Sequence, residues 1–221
     1  IMAMGSLALA MIGIICLAPV LANLLRPVVV PLYQALGADP AMFAGTLLAN
    51  DMGGAPLAQE LALTQEAGQF GGLIVGSMLG PTIVFTIPVG LGIIKAEDRP
   101  YLATGVLAGV ITIPIGSFAG ALAAGFPVVL VLRSLIPIAL VAVRIALGLA
   151  FLPNGMVKGF QVFGRIIVII ITIGLAAAII QKLPPLTLIP GMNPISEGVA
   201  IVGDIAVVLA GAFPLVYVIT R

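Results

Sequence analysis

Apolar residues follow one another along this chain in long runs that are separated by short polar connections. Each run is long enough to cross about 30 Å of hydrocarbon as a helix that rises about 1.5 Å per residue. Barrel strands would instead alternate in polarity over about 10 residues. The pattern therefore predicts an all-α polytopic membrane protein with about seven transmembrane helices, at residues 1–25, 41–61, 67–94, 101–124, 128–152, 160–180 and 198–220.

Composition agrees with the apolar pattern. Hydrophobic residues make up 62% of the 221 positions, charged residues make up 8%, and the mean hydropathy is +1.32. Because soluble domains carry about 25% charged residues, the chain is expected to lie in a lipid bilayer. The net charge of +1 gives no basis for nucleic-acid binding. Residues 1–221 are interpreted as a single transmembrane domain. The first apolar run has no basic leader and is therefore not predicted to be a signal peptide, and because residue 1 is Ile and not Met, we expect the chain to be a fragment of a longer protein.

The sequence offers little for catalysis or cofactor binding. It has no histidine and one cysteine, Cys16, so it lacks the usual metal-binding clusters and a histidine proton relay. It also lacks the Gly-x-x-x-x-Gly-Lys-Ser/Thr pattern, which disfavours an ATP-driven pump. We therefore predict no catalytic residue, metal site or cofactor, and we do not expect an enzyme.

Asp51 lies in the middle of the second apolar segment, within the run Asn50-Asp51-Met52-Gly53-Gly54-Ala55-Pro56. A carboxylate at that depth costs roughly 2.5–3.5 kcal/mol and usually faces a cavity or a partner. The two glycines and the proline predict that the helix is broken near residues 50–56, which would turn Asp51, Asn50 and backbone carbonyls toward one cavity. Such a site suits a small ammonium group, and the amide of Asn50 could meet a hydroxyl. The alternative is that Asp51 only pairs with a buried arginine.

Other polar or aromatic residues at membrane depth are candidates for the same path. Gly53 and Gly54 would bring the backbone close to a substrate, Thr82, Thr86 and Thr112 would supply hydroxyls, and Phe85 would offer a ring face to a cation. For each of these threonines and for Phe85 alone, the alternative is backbone hydrogen bonding or simple packing. Thr86 and Thr112 each precede a kinking proline by two residues and can bond the backbone groups that the kink releases.

Two arginines share one face of the fifth segment. Arg133 and Arg144 are eleven residues apart, which returns a helix to nearly the same bearing. Since buried charges are generally paired, both are predicted to form structural ion pairs. Arg133 would pair with Asp204, whereas Arg144 would reach Asp51 or line the path.

Glycine spacing predicts how the helices pack. Gly72, Gly76 and Gly80 recur at four-residue intervals, as do the pairs Gly105/Gly109 and Gly116/Gly120. Without side chains at these points, the backbones of neighbouring helices can approach closely. The ridges therefore indicate helix packing within the chain, and they also leave room for a homo-oligomer.

The charged residues between the segments predict an orientation. If every segment crosses the membrane once, Glu60, Glu66 and Glu197 share one side with only one basic residue, Lys182. The positive-inside rule then places the opposite side in the cytoplasm. The residues predicted to be cytoplasmic are Arg26, Lys95, Arg99, Lys158 and Arg221.

Several runs in order along the chain resemble the ethanolamine utilisation membrane proteins of the EutH family. They include Met42-Phe43-Ala44-Gly45-Thr46-Leu47-Leu48-Ala49, Asp51-Met52-Gly53-Gly54, Gly80-Pro81-Thr82-Ile83-Val84-Phe85, Gly105-Val106-Leu107-Ala108-Gly109, Thr112-Ile113-Pro114-Ile115-Gly116, Gly159-Phe160-Gln161 and Ile189-Pro190-Gly191. The resemblance implies a multi-pass protein of the bacterial inner membrane that brings ethanolamine to its catabolic pathway. It also implies further helices before Ile1 and after Arg221.

The leading hypothesis is a facilitator or secondary transporter of ethanolammonium, with Asp51 binding the ammonium group. Coupling to H⁺ or Na⁺ is left open, as is transport of another small amine. The alternative of a different class is a membrane scaffold or regulatory subunit that transports nothing and whose intramembrane charges only hold helices together.

Overall fold

A computed structural model of the chain describes residues 2–95, 97–151, 153–180 and 189–203. Within these ranges every regular element is helical. The α-helices are α1 Met2–Ala35, α2 Ala41–Leu47, α3 Gly54–Leu61, α4 Gln65–Gln69, α5 Gly76–Pro81, α6 Ile87–Ile93, α7 Arg99–Ala123, α8 Val128–Phe151 and α9 Pro153–Ile180. Residues 195–203 are also helical. The segments Phe70–Val75 and Thr82–Thr86 are π-helical and join α4, α5 and α6 without a break, so residues 65–93 form one long helix, hereafter helix 65–93.

The contacts divide the chain into two units, Ile1–Val20 with Ile170–Arg221, and Leu21–Ile169. The second unit contains α2 to α8 and a large apolar core in which Met42, Phe70, Leu79 and Ile138 are fully buried. Here α7 and α8 pack along each other, and Gly125 allows the turn between them with a φ of +80°. The proposed site lies in this unit.

The first unit shows how a proline inside a membrane helix is compensated. Pro19 has no N–H, so it cannot donate to the carbonyl of Ile15 one turn earlier in α1. The amide Nδ2 of Asn193 donates to that carbonyl at 3.5 Å, and the backbone N–H of Asn193 donates to the carbonyl of Cys16 at 2.9 Å. Segment 189–203 is therefore held against α1 where α1 lacks its own donor.

Within the described residues, four helices are long and apolar enough to cross a membrane, which is typical of a multi-pass helical membrane protein. They are Met11–Ala35, Gln65–Val84, Arg99–Ala123 and Val128–Leu149, which match the predicted first, third, fourth and fifth segments. The predicted sixth segment falls in α9, whose described apolar part, Val168–Ile180, is shorter than a span. Most of the predicted seventh segment, 198–220, lies outside the described residues. The predicted count of seven is therefore not confirmed.

The predicted second segment is not one continuous helix but folds back on itself. Its two halves, α2 and α3, pack against each other and are separated by Leu48–Gly53. The carboxylate of Asp39 accepts hydrogen bonds from the N–H of Ala41 at 2.9 Å and from the N–H of Leu63 at 3.1 Å. Asp39 and Leu63 flank the segment on its two sides, so the bond between them shows that the two ends of the segment lie side by side. Residues 41–61 thus form a helical hairpin, hereafter the hairpin, whose tip is residues 48–53 and whose base is the Asp39–Leu63 contact.

The first segment is longer than predicted. We expected it to end at Leu25, before the charge of Arg26, but α1 continues to Ala35. A charge does not stop a helix, whereas Gly37 does, with a φ of +69° and with the N–H of Ala38 donating to the carbonyl of Tyr33. Arg26 is therefore inside a helix and not in a connection.

Helix 65–93 contains two wide turns with identifiable causes. Pro88 cannot donate to Val84, and directly before it the N–H of Ile87 donates five residues back, to Thr82. The earlier wide turn, Phe70–Val75, ends where the N–H of Gly76 donates to the carbonyl of Gly71. These turns lie on either side of α5, the part of the helix that faces the hairpin tip.

Candidate functional site

The hairpin tip confirms the predicted break in the second segment. Helix α2 ends because Leu48 and Ala49 are extended, with ψ of 139° and 146°. One 3₁₀ turn, Asn50–Met52, follows, and Gly53 then adopts a φ of +83°, which favours glycine, so that α3 can begin at Gly54. The break thus lies at residues 48–53, which overlaps the predicted range of 50–56 and begins two residues earlier.

The hairpin lies on a row of glycines in helix 65–93, hereafter the glycine groove: Gly68, Gly72, Gly76 and Gly80. A Cβ atom on Gly80 would lie 2.7 Å from the backbone nitrogen of Ala49 and would clash with the carbonyl of Leu48. One on Gly72 would lie 2.9 Å from the Cα atom of Ala55. The predicted ridge of Gly72, Gly76 and Gly80 is therefore confirmed as a packing surface.

Not every predicted glycine pair has this role. On α7, Cβ atoms built on Gly105 and Gly109 would have no atom within 4 Å, whereas those on Gly116 and Gly120 would make ordinary contacts with Met78. Within the described residues, only the second of these pairs packs against a helix of the chain.

The groove fixes the depth of the tip. Gly76 and Gly80 lie about 17 to 23 Å from the start of helix 65–93, whose full length is about 43 Å at 1.5 Å per residue. The tip therefore lies about halfway along helix 65–93. Asp51 was expected near mid-depth because its segment was taken to span the membrane, and that depth stays a prediction.

Opposite helix ends meet at the tip. The last carbonyls of α2 and the first N–H groups of α3 have no partner within their own helices, and such ends carry partial charges. The carbonyl of Ala49 accepts two bonds, from the N–H of Met52 and the N–H of Gly54, each at 3.0 Å. Backbone polarity is therefore concentrated where the tip contacts the groove, and a small polar cation is the kind of ligand that carbonyls there can hold.

Among the predicted site residues, Asn50, Asp51 and Gly53 lie in the tip, and Gly54 begins α3 directly after it. Asn50 is half-buried, and its Cβ atom would lie 3.5 Å from a Cβ built on Gly76. The backbone of Asp51 is described, whereas its side chain is outside what the structure describes. The contact of Asp51 with a substrate therefore stays a prediction.

The other predicted site residues lie on helix 65–93 and on α7. Thr82 follows Gly80 by two residues, is half-buried, and donates its hydroxyl proton to the carbonyl of Met78 at 2.8 Å. Thr86 is exposed, and so is Thr112, which donates to the carbonyl of Gly109 at 2.7 Å. The described contacts join neither Thr86 nor Thr112 to the tip. The backbone of Phe85 belongs to the π segment Thr82–Thr86, and its side chain is outside the description.

The predicted ion pairs stay predictions. Arg133 and Arg144 are both exposed on α8. Asp204, the predicted partner of Arg133, lies outside the described residues. Arg133 instead lines a cavity of about 460 Å³ at the hairpin base, together with Asp39 and Glu66.

Sequence reasoning missed the two charged residues that hold the hairpin at its base end. Burial raises the pKa of Asp39, and its bonds from the N–H groups of Ala41 and Leu63 oppose part of that rise. Arg26 donates to the carbonyl of Glu60 in the last turn of α3, where helical carbonyls lack partners. The pattern Asp39-Pro40 directly before an apolar run is a helix-start signal that could have identified Asp39.

Comparisons with known proteins agree with one family. The model described as "Ethanolamine utilisation protein, EutH" matches residues 1–221. A protein of Listeria monocytogenes named "Probable ethanolamine permease EutH" is 68% identical over 221 residues, which are 100% of this chain and 59% of that protein. Proteins of the same name from Salmonella typhimurium and Escherichia coli are 52% and 51% identical and are each covered to 60%. The chain thus spans about three fifths of the length of these relatives. No solved structure matches.

Proposed function

The chain belongs to the EutH family of ethanolamine utilisation proteins, and from that membership we propose that the full-length protein carries ethanolamine across the bacterial inner membrane. The cargo is ethanolammonium, and the protein supplies ethanolamine catabolism as a facilitator or secondary transporter. Relatives that carry the name of ethanolamine permease support this function. The single structural observation that supports it is the hairpin tip, a broken helix about halfway along a membrane-crossing helix.

The chemistry of the cargo explains the need for a protein path. An alkyl amine with a pKa near 10.4 is only about one part in a thousand neutral at pH 7. The cation that dominates cannot cross hydrocarbon unaided, because an isolated charge there is strongly disfavoured. We propose that Asp51 binds the ammonium group at the tip, that Asn50 and nearby carbonyls of the tip complete the site, and that Thr82 lines the approach to it.

The topology follows from the hairpin. We propose that helix 65–93, α7 and α8 cross the membrane once each, and that the hairpin enters and leaves on one side. That side carries Asp39 and Glu66, whereas Lys95 and Arg99 lie at the opposite ends of these helices. By the positive-inside rule the end with Lys95, Arg99 and the start of α9 with Lys158 is cytoplasmic. The hairpin then enters from the outer side. Arg26, which was predicted from sequence to be cytoplasmic, contacts Glu60 near the hairpin base, so this topology places it in the outer half instead.

The test is uptake of labelled ethanolamine by proteoliposomes that contain the full-length protein. Asp51→Asn keeps the size of the side chain and removes its charge, so uptake at low substrate is expected to fall roughly tenfold to hundredfold, the range for a lost charge-assisted contact. Asp98→Asn is the matched control. Asp98 is an exposed residue in the connection after the C-terminal end of helix 65–93, so the same change of side chain is made away from the tip.

Each outcome of this assay decides between hypotheses. Unchanged uptake in folded Asp51→Asn protein would reject the site assignment. Absence of uptake in the wild type would favour the scaffold, and better uptake of another amine would favour that cargo. Imposing an H⁺ or a Na⁺ gradient across the same vesicles separates coupled transport from facilitated diffusion.

A further inference from the structure

We infer that Asp39 is a positioning residue for transport: its carboxylate joins the two ends of the hairpin and thereby fixes the place of the tip in the glycine groove. This inference rests on the proposed function, because it assumes that the tip holds the cargo.

The two bonds of Asp39 reach the two ends of the hairpin. One carboxylate oxygen, Oδ1, accepts from the N–H of Ala41 in the first turn of α2. The other oxygen, Oδ2, accepts from the N–H of Leu63, two residues after α3 ends. Pro40 has no N–H, so Ala41 provides the first donor of α2. The contact between Asp39 and Leu63 bridges 24 positions of the sequence.

The chain at Leu63 leaves this N–H available to Asp39. Ala62 is extended, with φ of −60° and ψ of 144°, so the helix does not continue to Leu63. The next helix is capped separately, because the hydroxyl oxygen of Thr64 accepts from the N–H of Ala67 at 3.2 Å. Asp39 therefore binds the N–H of Leu63, a donor that belongs to neither α3 nor α4 and lies between them in the chain.

The groove and the base constrain the hairpin in different directions. In the groove, Gly72 and Gly80 contact the hairpin by close backbone packing, which resists motion across helix 65–93. Sliding along the groove is resisted by directional bonds, and those at the base come from Asp39 and from Arg26. Since α2 and α3 are rods of only about 10 to 12 Å, a shift at the base is passed to the tip.

The surroundings of Asp39 provide a matched control. The cavity of about 460 Å³ beside it is lined by Gln34, Glu66 and Arg133, and it is large enough to admit water to the base. Glu66 carries the same charge in the same cavity, but its position in the first turn of α4 is not between the hairpin ends. Removing the charge of Glu66 changes the electrostatics of the cavity and leaves the bridge in place.

The experiment compares Asp39→Asn with Glu66→Gln in the full-length protein. Asparagine has one carbonyl oxygen, so one of the two bonds is lost. For Asp39→Asn we expect the KM for ethanolamine uptake to rise about tenfold, with a maximal rate within about twofold of the wild type. Hydrogen exchange of peptides from residues 37–64 should become faster at the base and at the tip. Glu66→Gln should leave both the KM and the exchange unchanged.

A second variant removes the donor instead of the acceptor. Leu63→Pro deletes the N–H that Asp39 binds, and Ala62 already has the extended backbone that a residue before proline adopts. If both variants break the same bond, the double variant Asp39→Asn/Leu63→Pro should be little worse than either alone. Effects that add in full would show that the two residues act separately.

Two results would overturn the role of Asp39. One is wild-type exchange at the tip in Asp39→Asn, and the other is an equal rise in KM for Glu66→Gln. The exchange measurement needs no transport, so it decides the positioning role even if the wild type takes up no ethanolamine, a result that would reject the proposed function alone.

Discussion

Replacement of Gly80 by alanine provides a direct test of the hairpin tip. In Gly80→Ala the new Cβ would lie 2.5 Å from the carbonyl carbon of Leu48 and 2.7 Å from the nitrogen of Ala49. Both are backbone atoms, so no side chain can rotate away. Ordinary contact begins at 3.4 Å, and the tip must therefore move from the groove by about 1 Å.

Gly80→Ala is expected to impair transport in a protein that still folds. Overpacking of this kind costs typically about 1–3 kcal/mol, and alanine returns about 0.5–1 kcal/mol because glycine is disfavoured within a helix. The fold should therefore survive. A displacement of about 1 Å at a binding site can lower a rate by about 100-fold. Transport should thus fall by one to two orders of magnitude in a protein that is destabilised by about 2 kcal/mol or less.

The assay is ethanolamine uptake in proteoliposomes, together with thermal unfolding of the same preparations. Two matched glycines provide controls. Gly109→Ala places a Cβ where no atom lies within 4 Å, so it should transport normally and be slightly more stable. Gly76→Ala places a Cβ at 3.4 Å from the carbonyl of Gly71 and 3.5 Å from Asn50, which are ordinary contacts, so its effect should be small.

The test compares the losses of uptake in the three variants, which should be large in Gly80→Ala and small or absent in the other two. Normal uptake by Gly80→Ala would refute the close contact between tip and groove. Equal losses in Gly80→Ala and Gly109→Ala would show that any added methyl group harms the protein, which would remove the special role of the groove.

Two further predictions concern the hairpin base and the first unit. Because burial raises the pKa of Asp39 from its ordinary value of 3.8, ionisation of Asp39 costs stability. The contribution that the protonated carboxyl makes to stability is complete below pH 3.8, and it is lost as the pH rises through the raised pKa and Asp39 ionises. Thermal unfolding should show this dependence of stability on pH in the wild type and in Glu66→Gln, which changes the cavity shared with Arg133. Asp39→Asn should lack it. Parallel curves of unfolding midpoint against pH for all three proteins would contradict the prediction. Asn193→Ala leaves the carbonyl of Ile15 without its donor and should cost about 1–3 kcal/mol in unfolding experiments, whereas an unchanged unfolding midpoint would show that another donor replaces it.

The break in the second segment could be predicted from sequence, but its topology could not. Gly53 and Gly54 identify the place where the helix opens, and the structure confirms it. A segment of this length fits either a kinked crossing helix or a hairpin that returns. The choice is made by contacts between distant residues, such as Asp39 with Leu63, and no local pattern specifies them.

Glycine spacing shows the same limit. The pairs Gly76/Gly80 and Gly105/Gly109 have the same interval, yet the first faces the tip and the second faces open space. Spacing gives the face of a helix on which a close approach is possible. Which neighbour comes there depends on the arrangement of the whole unit.

The wide turn Phe70–Val75 has a consequence for the shape of the glycine groove. Residues four apart in an α-helix overshoot a full turn by about 40°, so a row with that spacing winds around the helix. A π turn takes more residues, which removes part of this overshoot. All four groove glycines consequently face the hairpin, from Gly68 beside Gln59 to Gly80 beside Leu48. The wide turn straightens the track, so the hairpin can lie on one nearly straight line of glycines from its base end to its tip.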